Sequence, residues 1–102
     1  MILHLHKSER PEKRLKAVLV VDGDREKTIH FGQRGGSTYI DHGDPAIRRA
    51  YIARHKPSED WSHINAGSLS RYILWEHKTL AKAAAAYGRR FGVKVVVARG
   101  CC

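Results

Sequence analysis

The side chains with most chemical potential in this chain are its seven histidines, two cysteines and many arginines, and their spacing decides what each group can do. His4 and His6 lie two apart, a separation that puts both on one side of an extended strand. His55, Asp60, His63 and Asn65 fall close together, and histidine with Asp or Asn is a ligand mix of metal-assisted nucleases. The chain has no His-Glu-x-x-His, however, no spaced cysteine pair and no dense carboxylate set. Structural or surface roles are therefore expected for the histidines. No catalytic residue, metal ligand or cofactor is assigned, and scattered serines and histidines make no triad without geometry. Cys101 and Cys102 are adjacent, so they could close only a strained vicinal ring or pair between molecules; free thiols in a reducing compartment are expected.

Gly32-Gln-Arg-Gly-Gly-Ser37 resembles a phosphate cradle in composition alone. It lacks the terminal Gly-Lys-Ser/Thr of a P-loop and the G-x-G-x-x-G of a dinucleotide site. A strand-to-helix connector is the expectation, with Arg34 as its candidate anion contact.

Charge is more informative. Nineteen Lys and Arg against ten Asp and Glu leave a net charge of +9, which points to a polyanionic partner. Residues 78–102 hold six of the basic side chains and no acid. A second basic cluster, Arg48, Arg49, Arg54 and Lys56, surrounds an expected helix. The phosphate-contact set is thus Arg34, Arg48, Arg49, Arg54, Lys56, Lys82, Arg89 and Arg90, each contact gaining by counterion release without reading sequence. Trp61, Trp75, Tyr39, Tyr51 and Tyr72 lie between the clusters. In a domain this small they are expected to build the core, with Trp61 the more exposed tryptophan.

These groups need elements to position them. A chain of 102 residues, 42% hydrophobic, suits one domain with one core. Alternation of Leu3 and Leu5 with His4 and His6, of Leu15, Ala17, Leu19 and Val21 with their neighbours, and of Thr28 and His30 with Ile29 and Phe31 predicts three strands. Asp22-Gly23-Asp24 predicts a hairpin between the second and third. Asp44-Pro45 signals a helix start, with Ile47 and Tyr51 on its apolar face and an end at Lys56-Pro57. A short helix carrying Leu69, Tyr72, Ile73 and Trp75 follows. Thr79 then caps Leu80–Tyr87, stopped by Gly88, and Val93–Val97 reads as a last strand. The fold expected over 1–102 is a single α+β domain: a small, mainly antiparallel sheet of three N-terminal strands plus a C-terminal strand, with about three helices on one face. Nothing approaches 18 consecutive apolar residues, and the short, His-rich N-terminus does not look like a secretory leader.

The central block resembles a family of small proteins encoded by nucleocytoplasmic large DNA viruses. The likeness rests on Lys27-Thr-Ile-His-Phe-Gly32, Ser37-x-Tyr39, His42 and Asp44, then Tyr51-Ile-Ala-Arg-His55, Trp61, Ala66-Gly67, Leu69-Ser-Arg-x-Ile-Leu-Trp75 and Thr79-Leu80. It spans about residues 27–80, and the first strands are similar in pattern only. Glu76-His77-Lys78 departs from the Asn-Lys-Pro such members tend to carry. The resemblance implies a viral setting, in the virion or the infected-cell interior, and no activity. Three readings follow, in order: a non-enzymatic basic protein holding nucleic acid by its phosphates; a minor virion protein whose arginines meet an acidic viral structural protein, with Trp61 or Tyr39 as anchor; and a metal-dependent nuclease. No small-molecule substrate is expected.

Overall fold

The structure is a computed structural model that describes residues 1–98, apart from the side chain of Glu26. The cysteine pair and Arg99 lie outside the described residues. Four strands, β1 (Ile2–Lys7), β2 (Lys13–Val21), β3 (Asp24–Gln33) and β4 (Lys94–Val97), form one sheet in the order β3-β2-β1-β4. The first three pair antiparallel, and β4 joins the β1 edge in parallel. The fold is therefore α+β with a mainly antiparallel sheet.

The turn at Asp22-Gly23 has positive φ at both residues, 52° and 84°. That is the backbone twist a two-residue hairpin needs, and glycine meets it without strain. Cross-strand pairing puts Leu3 opposite Leu19, Leu5 opposite Ala17, and Leu15 opposite Phe31, so the alternating apolar set shares one face. This face is the core: Leu3, Leu5, Leu15, Ala17, Ile29 and Phe31 are buried against Leu69, Ile73, Leu74 and Tyr87 of the helices. The opposite face carries Ile2, His4, His6, Lys16, Val18 and His30.

After β3 come α1 (Tyr39–His42), α2 (Pro45–His55), a single 3₁₀ turn (Lys56–Ser58), α3 (Ala66–Leu69), which widens into an i→i+5 turn over Ser70–Leu74, and α4 (Leu80–Phe91). Several expectations shift here. β3 is longer than the alternation indicated and takes Gly32 and Gln33 with it, so the connector begins at Arg34. The loop also contains an unexpected helical turn, α1, whose Asp41 carboxylate accepts from the Thr38 backbone N–H at 2.8 Å. Helix α2 starts where expected, Asp44 accepting from the Ala46 N–H at 2.9 Å. Its inner face differs: Ile47 is 47% exposed, while Tyr51 and the half-buried Ile52 face the core.

Helix α4 does not stop at Gly88. It runs to Phe91 and ends at Gly92, in the left-handed region at φ 67°. Gly88 is interior because a Cβ there would stand 2.6 Å from the Val93 carbonyl oxygen, and the Val93 N–H donates back to the Gly88 carbonyl at 3.0 Å. That close approach turns the chain from α4 into β4.

Candidate functional site

The eight predicted cations differ in how far the fold has engaged them. Arg34 folds back on the N-terminal loop, where Nε donates to the Lys13 carbonyl at 3.1 Å and Nη2 donates to the carbonyls of Ser8 and Arg10. Arg48 donates through Nε to the Trp75 carbonyl at 2.8 Å and through Nη2 to Glu76 at 2.7 Å, with only a quarter of its side chain exposed. Inside the molecule Arg34 makes three hydrogen bonds to carbonyls and Arg48 makes two, one of them an ion pair in which Glu76 already meets its charge, so neither is well placed to hold a partner's phosphate. Arg49, Arg54, Lys56, Lys82, Arg89 and Arg90 are exposed, and among the described residues none pairs with a carboxylate.

Those six divide between two helices. At about 100° per residue, Lys82 and Arg89 project within about 20° of each other along the outer side of α4, opposite the buried Ala83, Ala84 and Tyr87. Arg90 sits at the edge of that stripe, its guanidinium carbon 4.0 Å from the centroid of the Tyr72 ring. Around α2, Arg49 and Lys56 share a side, whereas Arg54 lies about 140° round from Arg49 and opens onto a cleft. Helix α2 packs on α1 and the 3₁₀ turn; α4 packs on β4 and the wide turn.

A cleft of about 820 Å³ lies in the surface here. Four stretches build it: the start of β2, the end of β3 with the loop to α1, the last turn of α2, and residues 59–75. Its floor is a column of rings. Tyr51 and Trp75 stack almost parallel, centroids 4.3 Å apart and planes 5° apart; His55 lies on Tyr51, also at 4.3 Å. Tyr51 and Trp75 are under 10% exposed, and burial pushes the Tyr51 phenol up to about 12. His55, a third exposed, is the outermost ring.

Glu59 pins that ring. One of its carboxylate oxygens pairs with His55 Nδ1 and the other accepts from Trp61 Nε1 at 3.1 Å. Gly67 makes this possible, since a Cβ there would meet the Glu59 carboxylate at 2.8 Å. Trp61 is half-buried and Trp75 is the buried tryptophan. The His55–Glu59 spacing of four is a helical-pair signal. It was hidden in the sequence because Pro57 interrupts the helix between them.

The quartet His55, Asp60, His63 and Asn65 is not one site. His55 goes to Glu59, while Asp60 pairs with His63 at 2.7 Å and accepts from the Ser62 hydroxyl and N–H, which hold its carboxyl down at about 2. Asn65 caps α3, accepting from the Ser68 N–H at 2.8 Å. Among the described residues no three His, Cys, Asp or Glu side chains gather as a ligand set. No described helix is long and apolar enough to cross a membrane.

Comparison with known proteins places the sequence in a family. No solved structure matches the chain. A protein of Acanthamoeba polyphaga mimivirus, "Uncharacterized protein L851", is 39% identical over 80 residues, covering 72% of this chain and 80% of the relative. Residues 3–55 match a protein family; the match takes in the first strands, which the motif resemblance over 27–80 had left as similar in pattern only. With more than half of the chain matched, and a giant-virus relative of nearly the same span, the protein belongs to the Family of unknown function (DUF5754).

Proposed function

We propose that the protein binds a polyanion, nucleic acid held by its phosphates without sequence readout, inside the virion or the infected cell. One observation supports the reading. Every ion pair among the described residues lies before residue 78, whereas Lys78, Lys82, Arg89, Arg90 and Lys94 are all exposed and, among the described residues, pair with no carboxylate. The N-terminal arginines and lysines are partly neutralised by their own fold. The α4–β4 unit keeps its charge for an outside partner, and each phosphate it meets releases a condensed counterion.

Anisotropy titrations of duplex and single-stranded DNA across a range of salt test this. Affinity should fall log-linearly with salt, and the triple variant Lys82→Ala, Arg89→Ala, Arg90→Ala should lower the slope by about three, roughly one per contact. Arg34→Ala should leave the slope unchanged. An absence of binding at low salt, a salt-independent affinity, or a triple variant that binds like the parent would each overturn the reading.

A further inference from the structure

The cleft beneath His55 lies apart from the α4 stripe and has its own chemistry. Six polar side chains in its wall, Glu12, Lys13, Gln33, Ser37, Arg54 and Ser70, make no hydrogen bond or ion pair to any other described residue. Asp60 and Asn65, which line the same cleft, differ: they bond within their own loop, to Ser62, His63 and Ser68. Unspent donors and acceptors gathered over an apolar floor, in a cleft of 300–1,000 Å³, are the hallmark of a small-ligand site.

The kind of ligand follows from the wall. The ring column ends in His55, which lies on Tyr51 and is held by Glu59, itself bonded to Trp61, so a ring fixed in position lines the cleft. Histidine is among the rings on which unpaired bases stack. Arg54, next in the chain, and Lys13, at the start of β2, supply two cations; Gln33, Ser37 and Ser70 supply neutral donors and acceptors; of the wall carboxylates Glu59 and Asp60 are engaged by their own loop, and Glu12 is left to accept from amino or hydroxyl groups. A flat, hydrogen-bonding body with one anionic end satisfies all of these at once.

We propose that this cleft is a binding site for a nucleoside monophosphate unit, its base against His55 and its phosphate at Arg54 and Lys13. The unit is either a free nucleotide or an unpaired residue of a strand. The inference does not require the α4 cations to bind nucleic acid.

The test is titration of the intact protein with AMP, adenosine, inorganic phosphate and a short single-stranded oligonucleotide, followed by tryptophan fluorescence and amide chemical shifts. AMP should bind saturably, shifting amides of residues 31–37, 51–55 and 66–75, with adenosine and phosphate each about 10-fold weaker or more. Arg54→Ala should weaken AMP about 10-fold and leave adenosine unchanged. Ser70→Ala, which removes a wall hydroxyl, should weaken both. The triple α4 variant should bind AMP as the parent does, so failure of the polyanion reading and failure of this one are separate results. If Ser70→Ala, which changes no charge, also weakens the oligonucleotide, the natural source is a strand; if only AMP responds, it is a free nucleotide. Absence of saturable binding by AMP and oligonucleotide, phosphate binding as tightly as AMP, or a folded Arg54→Ala protein with unchanged AMP affinity would overturn the proposal.

Discussion

Gly88 shows how one residue is judged by two rules that disagree. Helix propensity favours alanine over glycine in a helix interior by about 1 kcal/mol. The space does not allow it: the added Cβ would lie 2.6 Å from the Val93 carbonyl oxygen, a backbone atom that cannot swing away. Gly88→Ala is therefore expected to lower stability by at least about 1 kcal/mol, read from the denaturant midpoint, despite the better helix former. A stabilised variant would mean that the α4-to-β4 turn is looser than described. Ser68 makes a related point. Fully buried, its hydroxyl meets the Tyr87 hydroxyl at 2.9 Å, so two polar groups enter the core as a satisfied pair. Nothing in the spacing of positions 68 and 87 signals this contact, which two separate elements create.

Among elements, the link from β2 to α1 is a single ion pair. Arg14 donates from both terminal nitrogens to Asp41, at 2.8 and 3.0 Å, and the Thr38 N–H and hydroxyl donate to the same carboxylate. These bonds, Arg14's first, hold the Asp41 carboxyl down at about 2, against an ordinary value of 3.8. A depressed carboxylate contributes stability that is present above its unfolded pKa and lost as the pH falls from about 4 through about 2. Asp41→Asn should thus unfold more readily at pH 7 and show a shallower loss of stability between pH 4 and pH 2. Parallel acid limbs for parent and variant, measured by circular dichroism, would count against the pair. The sequence presents residues 32–43 as a glycine-rich connector because a helical turn of four residues is too short for periodicity. Its anchor, Arg14, lies 27 positions before Asp41.

For the whole molecule, the core titrates at the alkaline end. Burial raises the phenols of Tyr51 and Tyr87 to about 12, since the phenolate is costly to form out of water. An acid whose folded pKa is raised stabilises the protein below its unfolded value. That stability is lost as the pH climbs from about 10 through about 12. The denaturant midpoint is expected to fall across this window, and Tyr51→Phe should flatten part of the fall. Phenolate absorbance in difference spectra between parent and the two Phe variants should rise only near pH 12; a rise near 10 would show that these rings are accessible in the native state. Charge behaves differently at this scale. A net +9 says that the molecule attracts anions, but neutralisation is uneven: Arg14, Lys16, Arg48 and Arg71 have carboxylate partners, and the α4–β4 unit has none among the described residues.

The features legible in the chain alone are local. Period-two alternation named the strands and their inner face, because neighbouring side chains on a strand must point opposite ways. Asp-Gly located the hairpin, Asp44 and Thr79 located two helix starts, and short motifs located the family. Packing in three dimensions set which arginines have internal partners among the described residues and which side chains line one cleft. Arg48 meets Glu76 across 28 positions, and the cleft draws Lys13, Ser37, Arg54 and Ser70 from four separate stretches. Such partnerships depend on distance in space, which the packing of helices on the sheet sets and which one-dimensional spacing does not contain.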